Sequence, residues 1–356
     1  MKVKIEQYTL DESHLLDWAT DEGKNHAEGW VSSYAQSIQE WYDQKDYILV
    51  NTSGSTGSPK PIRLKKSQMK ASALKTADRF ELVAGMKSLH CLPSQYIAGK
   101  MMLIRALVIG MDQICLRPKL QLQLDRSQTF DFAAMTPMQA ISTLEEGENC
   151  LDGIKTIILG GGPIGLDLKK SLADINSHCY ATYGMTETIT HVALAPMNGP
   201  APTEIFEALN GIYFTEDNEH LVIHADHLDG PFRTNDRVRL IDKTHFTWLG
   251  RTDNVINSGG VKIQPEIIEK EISSMISDRF IIVGLPDQKS GERVALLIES
   301  EPYSIEILSE LRRQLEAIPK LHQPKSIHFI DRFKETNTGK IIRRAAYFGE
   351  SPRNDE

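Results

Sequence analysis

From residue 47 to residue 184, short apolar runs alternate with segments of helical spacing, and no other feature constrains the fold as strongly. The runs at 47–51, 88–92, 113–116, 156–159 and 179–183 read as strands, and 67–83, 98–109, 137–145 and 166–175 read as helices between them. Strands separated by helix-length connections belong to an α/β domain with a largely parallel sheet. After residue 200 the pattern changes to hairpin-like pieces, GIYFTEDNEHLVIHA and VRLIDKTHFTWLG, in which turn-rich centres separate alternating flanks. Beyond Arg251, Pro265 suits the first turn of a helix. The runs RFIIVG and RVALLIES, with a helix near 305–317, then complete a small α+β unit. We therefore expect a large α/β domain with mixed sheets over 1–250 and a small mobile α+β domain over 254–356, ending in a frayed tail, GESPRNDE.

Charge and cysteines narrow the class. Lys+Arg 40 against Asp+Glu 48 gives a net charge of -8, which is unsuited to a general nucleic-acid binder, so any phosphate contact must be local. Cys91, Cys115, Cys150 and Cys179 form no CxxC pair or Cys/His cluster, and neither a disulfide frame nor a structural zinc site is expected. The most apolar segment, MMLIRALVIG, is short and carries Arg105, so no membrane span is expected. MKVKIEQYTLDESHLLDW lacks the apolar core of a signal peptide, and the expected compartment is the cytoplasm.

Two glycine-rich stretches follow strand candidates. TSGSTGSPK (52–60) offers two glycines, hydroxyls, backbone N–H groups and Lys60, which together suit a polyphosphate, although GxxxxGK[ST] occurs nowhere and a plain surface turn has the same composition. GGGPIG (160–165) formally matches the dinucleotide fingerprint. Pro163 removes a donor there, however, and CYATY does not end in the acidic residue a ribose needs, so a tight strand-to-helix turn is the simpler reading.

Six motifs in order, TSGSTGSPK, LGGGPI (159–164), YGMTET (183–188), TND (234–236), GRTDNVINSGGVKIQPEIIE (250–269) and TNTGKIIRR (336–344), give the chain a resemblance to the adenylate-forming superfamily of acyl-CoA synthetases, luciferases and peptide-synthetase adenylation domains. The resemblance implies two half-reactions: a carboxylate attacks the α-phosphate of ATP and expels pyrophosphate, then a thiol, usually that of coenzyme A, displaces AMP. It implies that Thr52, Ser53, Gly54, Ser55, Thr56, Gly57 and Lys60 hold phosphates, that Thr186 contacts phosphate, and that Glu187 binds Mg2+. By the same resemblance Tyr183, with Gly184, stacks on adenine while Gly160, Gly161 and Gly162 pass close to the nucleotide. It implies further that Asp236 takes the ribose hydroxyls, that Arg251 lies beside ribose and phosphates, that Asp253 is the hinge, that Gly259 and Gly260 line a pantetheine channel, and that Lys340 neutralises charge during adenylation. Asn235 stands where many relatives have glycine.

Within the superfamily the chain looks most like the o-succinylbenzoate:CoA ligases of menaquinone (vitamin K2) biosynthesis, through LPSQYIAGKMMLIRAL (92–107), AMTPMQA (134–140) and TNDRV (234–238). Arg105 matches an arginine those enzymes offer to a dicarboxylate, for which a guanidinium fork is well shaped; an arginine on the solvent side of an amphipathic helix is the alternative. Tyr96 stands where those ligases carry histidine, and only 51 residues precede Thr52, fewer than in full-length relatives. Three readings follow: an AMP-forming acid:CoA ligase for o-succinylbenzoate or another aromatic or aliphatic acid, a nicotinamide oxidoreductase resting on GGGPIG alone, and a non-catalytic acyl- or nucleotide-binding relative. The sequence leaves open the acceptor, CoA or a carrier-protein thiol, and the oligomeric state, a homodimer included.

Overall fold

A computed structural model describes residues 1–51, 61–125, 127–145, 147, 150–336, 341–343 and 353–354. Two compact units divide the chain. The first comprises Met1–Phe214, Ile223–Phe232 and Asp242–His245, and the second comprises Thr215–Val222, Arg233–Ile241 and Phe246–Glu356.

The first unit opens with the hairpin β1 (Lys2–Ile5) and β2 (Tyr8–Asp11), then α1 (Glu12–Trp18), a π-helical turn over Ala19–Gly23, and α2 (Gly29–Tyr42). It continues through β3 (Tyr47–Asn51), β4 (Pro61–Lys65), α3 (Lys66–Phe80), β5 (Lys87–His90), α4 (Ile97–Ile109), β6 (Asp112–Cys115), β7 (Phe130–Met135) and α5 (Pro137–Leu144). β8 (Ile154–Leu159), α6 (Leu166–Ala173), β9 (His178–Gly184), β10 (His191–Pro196) and β11 (Ile205–Ala208) complete it. Nine strands align in the order β11-β10-β9-β8-β7-β5-β6-β1-β2. The six from β9 to β1 run parallel, and antiparallel strands flank them on both sides. The expected α/β class with mixed sheets is what forms.

Local chemistry sets these elements. Thr136 caps α5 in a reciprocal box with Gln139, with Pro137 at the first helical position, and Gly110 ends α4 at φ 82°. β8, covered on both faces, reads as a nearly continuous apolar run, as interior parallel strands do. α4 is buried nearly all round because α2, α3 and the sheet cover it. Burying Met101, Met102, Leu103 and Ile104 contributes roughly 6–12 kcal/mol, enough to offset the desolvation of two cations on the same helix, Lys100 and Arg105. Lys100 is neutralised by Glu40 of α2 at 2.5 Å, and Arg105 has no such partner among the described residues.

The sequence left 61–65 unassigned: Ile62 and Leu64 alternate with polar residues, and this segment forms a strand that pairs antiparallel with β3.

β12 (Ile212–Asp217), β13 (His220–Ala225) and the short β14 (Phe232–Arg233) form a three-stranded sheet whose residues are divided between the units. In the second unit β15 (Asp236–Leu240) pairs with β16 (His245–Arg251), of which His245 belongs to the first. β17 (Ile256–Ser258), β18 (Val261–Ile263), α7 (Pro265–Ile272), β19 (Arg279–Asp287), β20 (Gly291–Glu299), α8 (Ile305–Leu315) and β21 (Ser326–Ile330) follow. The tail read as frayed contributes β22 (Arg353–Asn354), which pairs with β21. α7 and α8 pack on the sheet through Ile268, Ile272, Leu311 and Leu315, giving this unit its own core.

Candidate active site

In the first unit the connections place the expected residues along one sheet edge. In a parallel sheet ligands bind outside the carboxyl ends of the strands, at the point where strand order reverses. Here the chain goes from β5 to β6 in one direction and then returns to β7 on the opposite side of β5, so the reversal lies between β5 and β7. The loop after β5 holds half-buried Tyr96, the connection after β7 holds Thr136, Gly160 to Gly162 follow β8, and Tyr183 and Gly184 end β9. All leave at carboxyl ends.

The glycines on this edge have distinct reasons. A Cβ on Gly160 would lie 2.4 Å from Thr182 Oγ1, whose hydroxyl donates to Leu159 O at 3.0 Å. Gly161 has φ 84° with open space where a side chain would start. This is a tight strand-to-helix turn, as its sequence suggested. Gly184 is crowded by the following chain: its Cβ would lie 2.3 Å from Thr190 O. Tyr183 is buried, its ring 5.9 Å from that of Phe206.

Thr186 and Glu187 sit in a single 3-10 turn held by Thr188, whose hydroxyl interacts with Met185 N at 3.0 Å and Thr190 O at 2.8 Å. Glu187 is partly exposed and makes no hydrogen bond or ion pair with the described residues. No group of three or more His, Cys, Asp or Glu that could hold a metal exists among the described residues. That donor set does not suit an all-protein cage. It does suit Mg2+, which commonly uses one or two carboxylates together with substrate phosphates and water.

Arg105 is the least expected feature. Instead of facing solvent it is 2% exposed, and burial pulls its pKa down to about 9. Its Nε donates to Thr76 Oγ1 at 3.2 Å and its Nη2 to Thr190 Oγ1 at 2.9 Å; His191 Nδ1 is 3.5 Å from Nη2, and among the described residues Nη1 meets the Met102 thioether alone, at 3.7 Å. Every acceptor is neutral. Tyr96, at the start of the same helix, lies about 13 Å along the axis from Arg105, so the two do not meet.

The second unit gathers a polar cluster. Asp236 and Arg251 face each other across β15 and β16, with Arg251 Nη1 3.9 Å from Asp236 Oδ1. Trp248 Nε1 donates to Asp236 Oδ1 at 3.2 Å, and Arg251 Nη2 to Asp253 Oδ2 at 2.7 Å. Gln264 Nε2 donates to Arg251 O, and Asn254 Nδ2 to Glu266, which ties the 3-10 turn Thr252–Asn254 to α7. Gly259 and Gly260, φ 59° and 82°, form the two-residue turn between β17 and β18, where positive φ at both positions calls for glycine. Thr52, Ser53, Gly54, Ser55, Thr56, Gly57, Lys60 and Lys340 lie outside the described residues.

A family model described as AMP-binding enzyme matches residues 2–209. The chain belongs to the AMP-binding enzyme family. This AMP-binding enzyme is 26% identical over 386 aligned residues to the 2-succinylbenzoate--CoA ligase of Bacillus cereus (strain AH820), covering 95% of this chain and 79% of that protein. It is 33% identical to a solved acyl-CoA synthetase (AMP-forming)/AMP-acid ligase II-like protein from Dyadobacter fermentans, covering 96% of this chain and 98% of that one with a TM-score of 0.63. It shares its fold with the o-succinylbenzoate CoA synthetase of Bacillus subtilis, solved with its acyl-adenylate intermediate, at a TM-score of 0.71, with 21% identity over 86% of this chain and 70% of that one. The AMP-binding enzyme therefore falls in the AMP-forming ligase superfamily that its six motifs resemble, and the oxidoreductase reading of GGGPIG is set aside.

The ring of Thr76, Thr190 and His191 around Arg105 escaped sequence reasoning. The available signal was the continuation of YGMTET into ITH, which places two polar side chains directly after a phosphate motif.

Proposed function

We propose that this enzyme is an AMP-forming acid:CoA ligase whose acid is a dicarboxylate, o-succinylbenzoate, in the cytoplasmic synthesis of menaquinone. The observation that carries the choice of acid is the buried Arg105 guanidinium ringed by neutral acceptors. A buried cation without a counter-ion is costly, and a ligand carboxylate that supplies one gains what the protein has withheld. A fatty-acyl pocket has no use for such a group.

In this reading the acid carboxylate attacks the α-phosphorus, the bond to the bridging oxygen breaks, and pyrophosphate leaves with the electron pair. The 52–60 loop and Thr186 donate to the departing phosphates, and Lys340 offsets charge that develops in this step. Glu187 would hold Mg2+ together with the phosphates, and the ion would supply positive charge against them. Tyr183, Gly184 and the 160–162 turn receive adenine, while Asp236 accepts from the ribose with Arg251 beside it. The domain over 254–356 acts as a lid turning at Asp253, and the CoA thiolate, passing Gly259 and Gly260, attacks the acyl carbonyl and releases AMP. A complex of one neighbour, the o-succinylbenzoate coenzyme A synthetase of Bacillus subtilis, with ATP and magnesium supports the nucleotide and metal by likeness of fold.

The test is ATP-pyrophosphate exchange with a panel of acids, followed by detection of the CoA thioester. Exchange strongest with o-succinylbenzoate is the expected result. Exchange strongest with a monoacid refutes the choice of acid, and acid binding without exchange refutes the ligase.

A further inference from the structure

We infer that His191 is a positioning residue for Arg105: its neutral imidazole, bridged by Thr76 and Thr190, holds the guanidinium by one edge and leaves the Nη1 side for an anionic group of the acid. The inference rests on the reading of Arg105 as the dicarboxylate receptor.

The hydrogen bonds close a ring that one proton assignment satisfies. Arg105 Nε–H donates to Thr76 Oγ1 and Nη2–H to Thr190 Oγ1; the Thr190 hydroxyl donates to His191 Nδ1 at 3.2 Å. His191 Nε2–H points to Thr76 Oγ1 at 3.4 Å, and the Thr76 hydroxyl donates to Ser72 O at 3.2 Å. Each hydroxyl then both gives and receives, as its chemistry allows. The assignment favours a neutral imidazole with its proton on Nε2, because a proton on Nδ1 would face Arg105 Nη2 donor to donor. Burial, with Arg105 adding to it, lowers the pKa of His191 and so favours that form.

The backbone is built to keep His191 there. Ile189, buried and β-branched, adopts φ 71°, ψ -57°, a γ-turn conformation rare for such a side chain. It turns the chain so that Thr190 and His191 fold back over Gly184, where no larger residue fits. A strained residue is retained only where its surroundings over-determine it, and here those surroundings deliver two neutral acceptors to one guanidinium.

An acidic side chain would have solvated Arg105 more strongly. Neutral acceptors fix its direction without consuming its charge, which stays available to a ligand.

The experiment compares wild type with His191→Asn, His191→Leu and His191→Glu, alongside Arg105→Leu. It measures kcat/KM for o-succinylbenzoate and for benzoate, KM for ATP, and the melting temperature without ligand. His191→Asn, which keeps a neutral acceptor, should retain most of the o-succinylbenzoate:benzoate ratio. His191→Leu should lower it roughly 10- to 100-fold, since bonds to a charged group are at stake. His191→Glu should lower it at least as far while melting above His191→Leu, because Arg105 then has an internal counter-ion. KM for ATP should change little throughout. Equal loss for both acids, a ratio that survives His191→Glu, or Asn no better than Leu overturns the inference. If Arg105→Leu leaves the ratio unmoved, the reading of Arg105 itself fails; the melting order of the Glu and Leu variants still reports whether His191 holds Arg105.

Discussion

Arg343 is three residues beyond the candidate lysine, and its removal should destabilise the second unit in a pH-dependent way. Its Nη1 and Nη2 donate to the two carboxylate oxygens of Glu269 at 2.6 and 2.7 Å, and Nη1 also donates to Ile282 O at 2.9 Å. Glu269 in turn accepts from Ile282 N at 2.7 Å, so the pair pins the C-terminal segment to α7 and β19 together. The side chains are 21% and 19% exposed. Breaking a fully buried pair from one side costs about 3–5 kcal/mol, and partial exposure brings Arg343→Leu to about 3 kcal/mol. For a unit of about a hundred residues that is a melting shift on the order of 10–20 °C. Burial already raises the Glu269 pKa, with Arg343 opposing it, and removing Arg343 lets burial act alone. A carboxylate whose folded pKa is raised contributes stability at low pH that is lost as pH climbs through that value. The deficit of Arg343→Leu should therefore be small near about pH 5 and grow toward about pH 8. Adding Glu269→Gln should restore most of the loss and flatten the profile. Scanning calorimetry across that range is the assay. A deficit that is the same at every pH, or below about 0.5 kcal/mol, refutes the account.

Arg105→Leu should weaken use of o-succinylbenzoate roughly 30-fold to several thousandfold relative to benzoate, with Arg105→Lys recovering only part, read from the ratio of specificity constants. Lys340→Ala should slow adenylation on the order of a hundredfold or more and spare thioester formation from preformed acyl-AMP; equal loss in both half-reactions removes it from that role. His90, buried beside Tyr34 with a pKa pushed down to about 4, is neutral in the fold but charges on unfolding, so stability should fall by about 3 kcal/mol between about pH 6.5 and pH 4. His90→Gln should flatten that slope in urea titrations. Gly99→Ala places a Cβ 2.3 Å from Pro93 O and should cost more than about 3 kcal/mol, seen as a lowered urea midpoint or loss of soluble protein.

The sequence by itself determined the α/β class, the alternation of strands and helices from residue 47 to residue 184, and the family. Apolar runs and helical spacing are local, and a phosphate loop or a YGMTET turn needs a fixed series of neighbouring residues. Strand 47–51 and helix 305–315 are therefore legible within a residue or two, as are the glycine turns at 160–162 and 259–260. The strand at 61–65 is not, because short alternating Pro61–Lys65 shows its strand character only against its partner. Tertiary structure alone decided what Arg105 is. An arginine in an apolar helix is a surface residue or a buried one according to what packs on the helix, and here α2, α3 and the sheet enclose it. Its acceptors come from positions 76, 190 and 191, far apart in the chain, and join only because α3 and the start of β10 flank α4. The same holds for Arg343 and Glu269, separated by 74 positions. Long-range pairing of charge depends on three-dimensional approach, which no local pattern encodes.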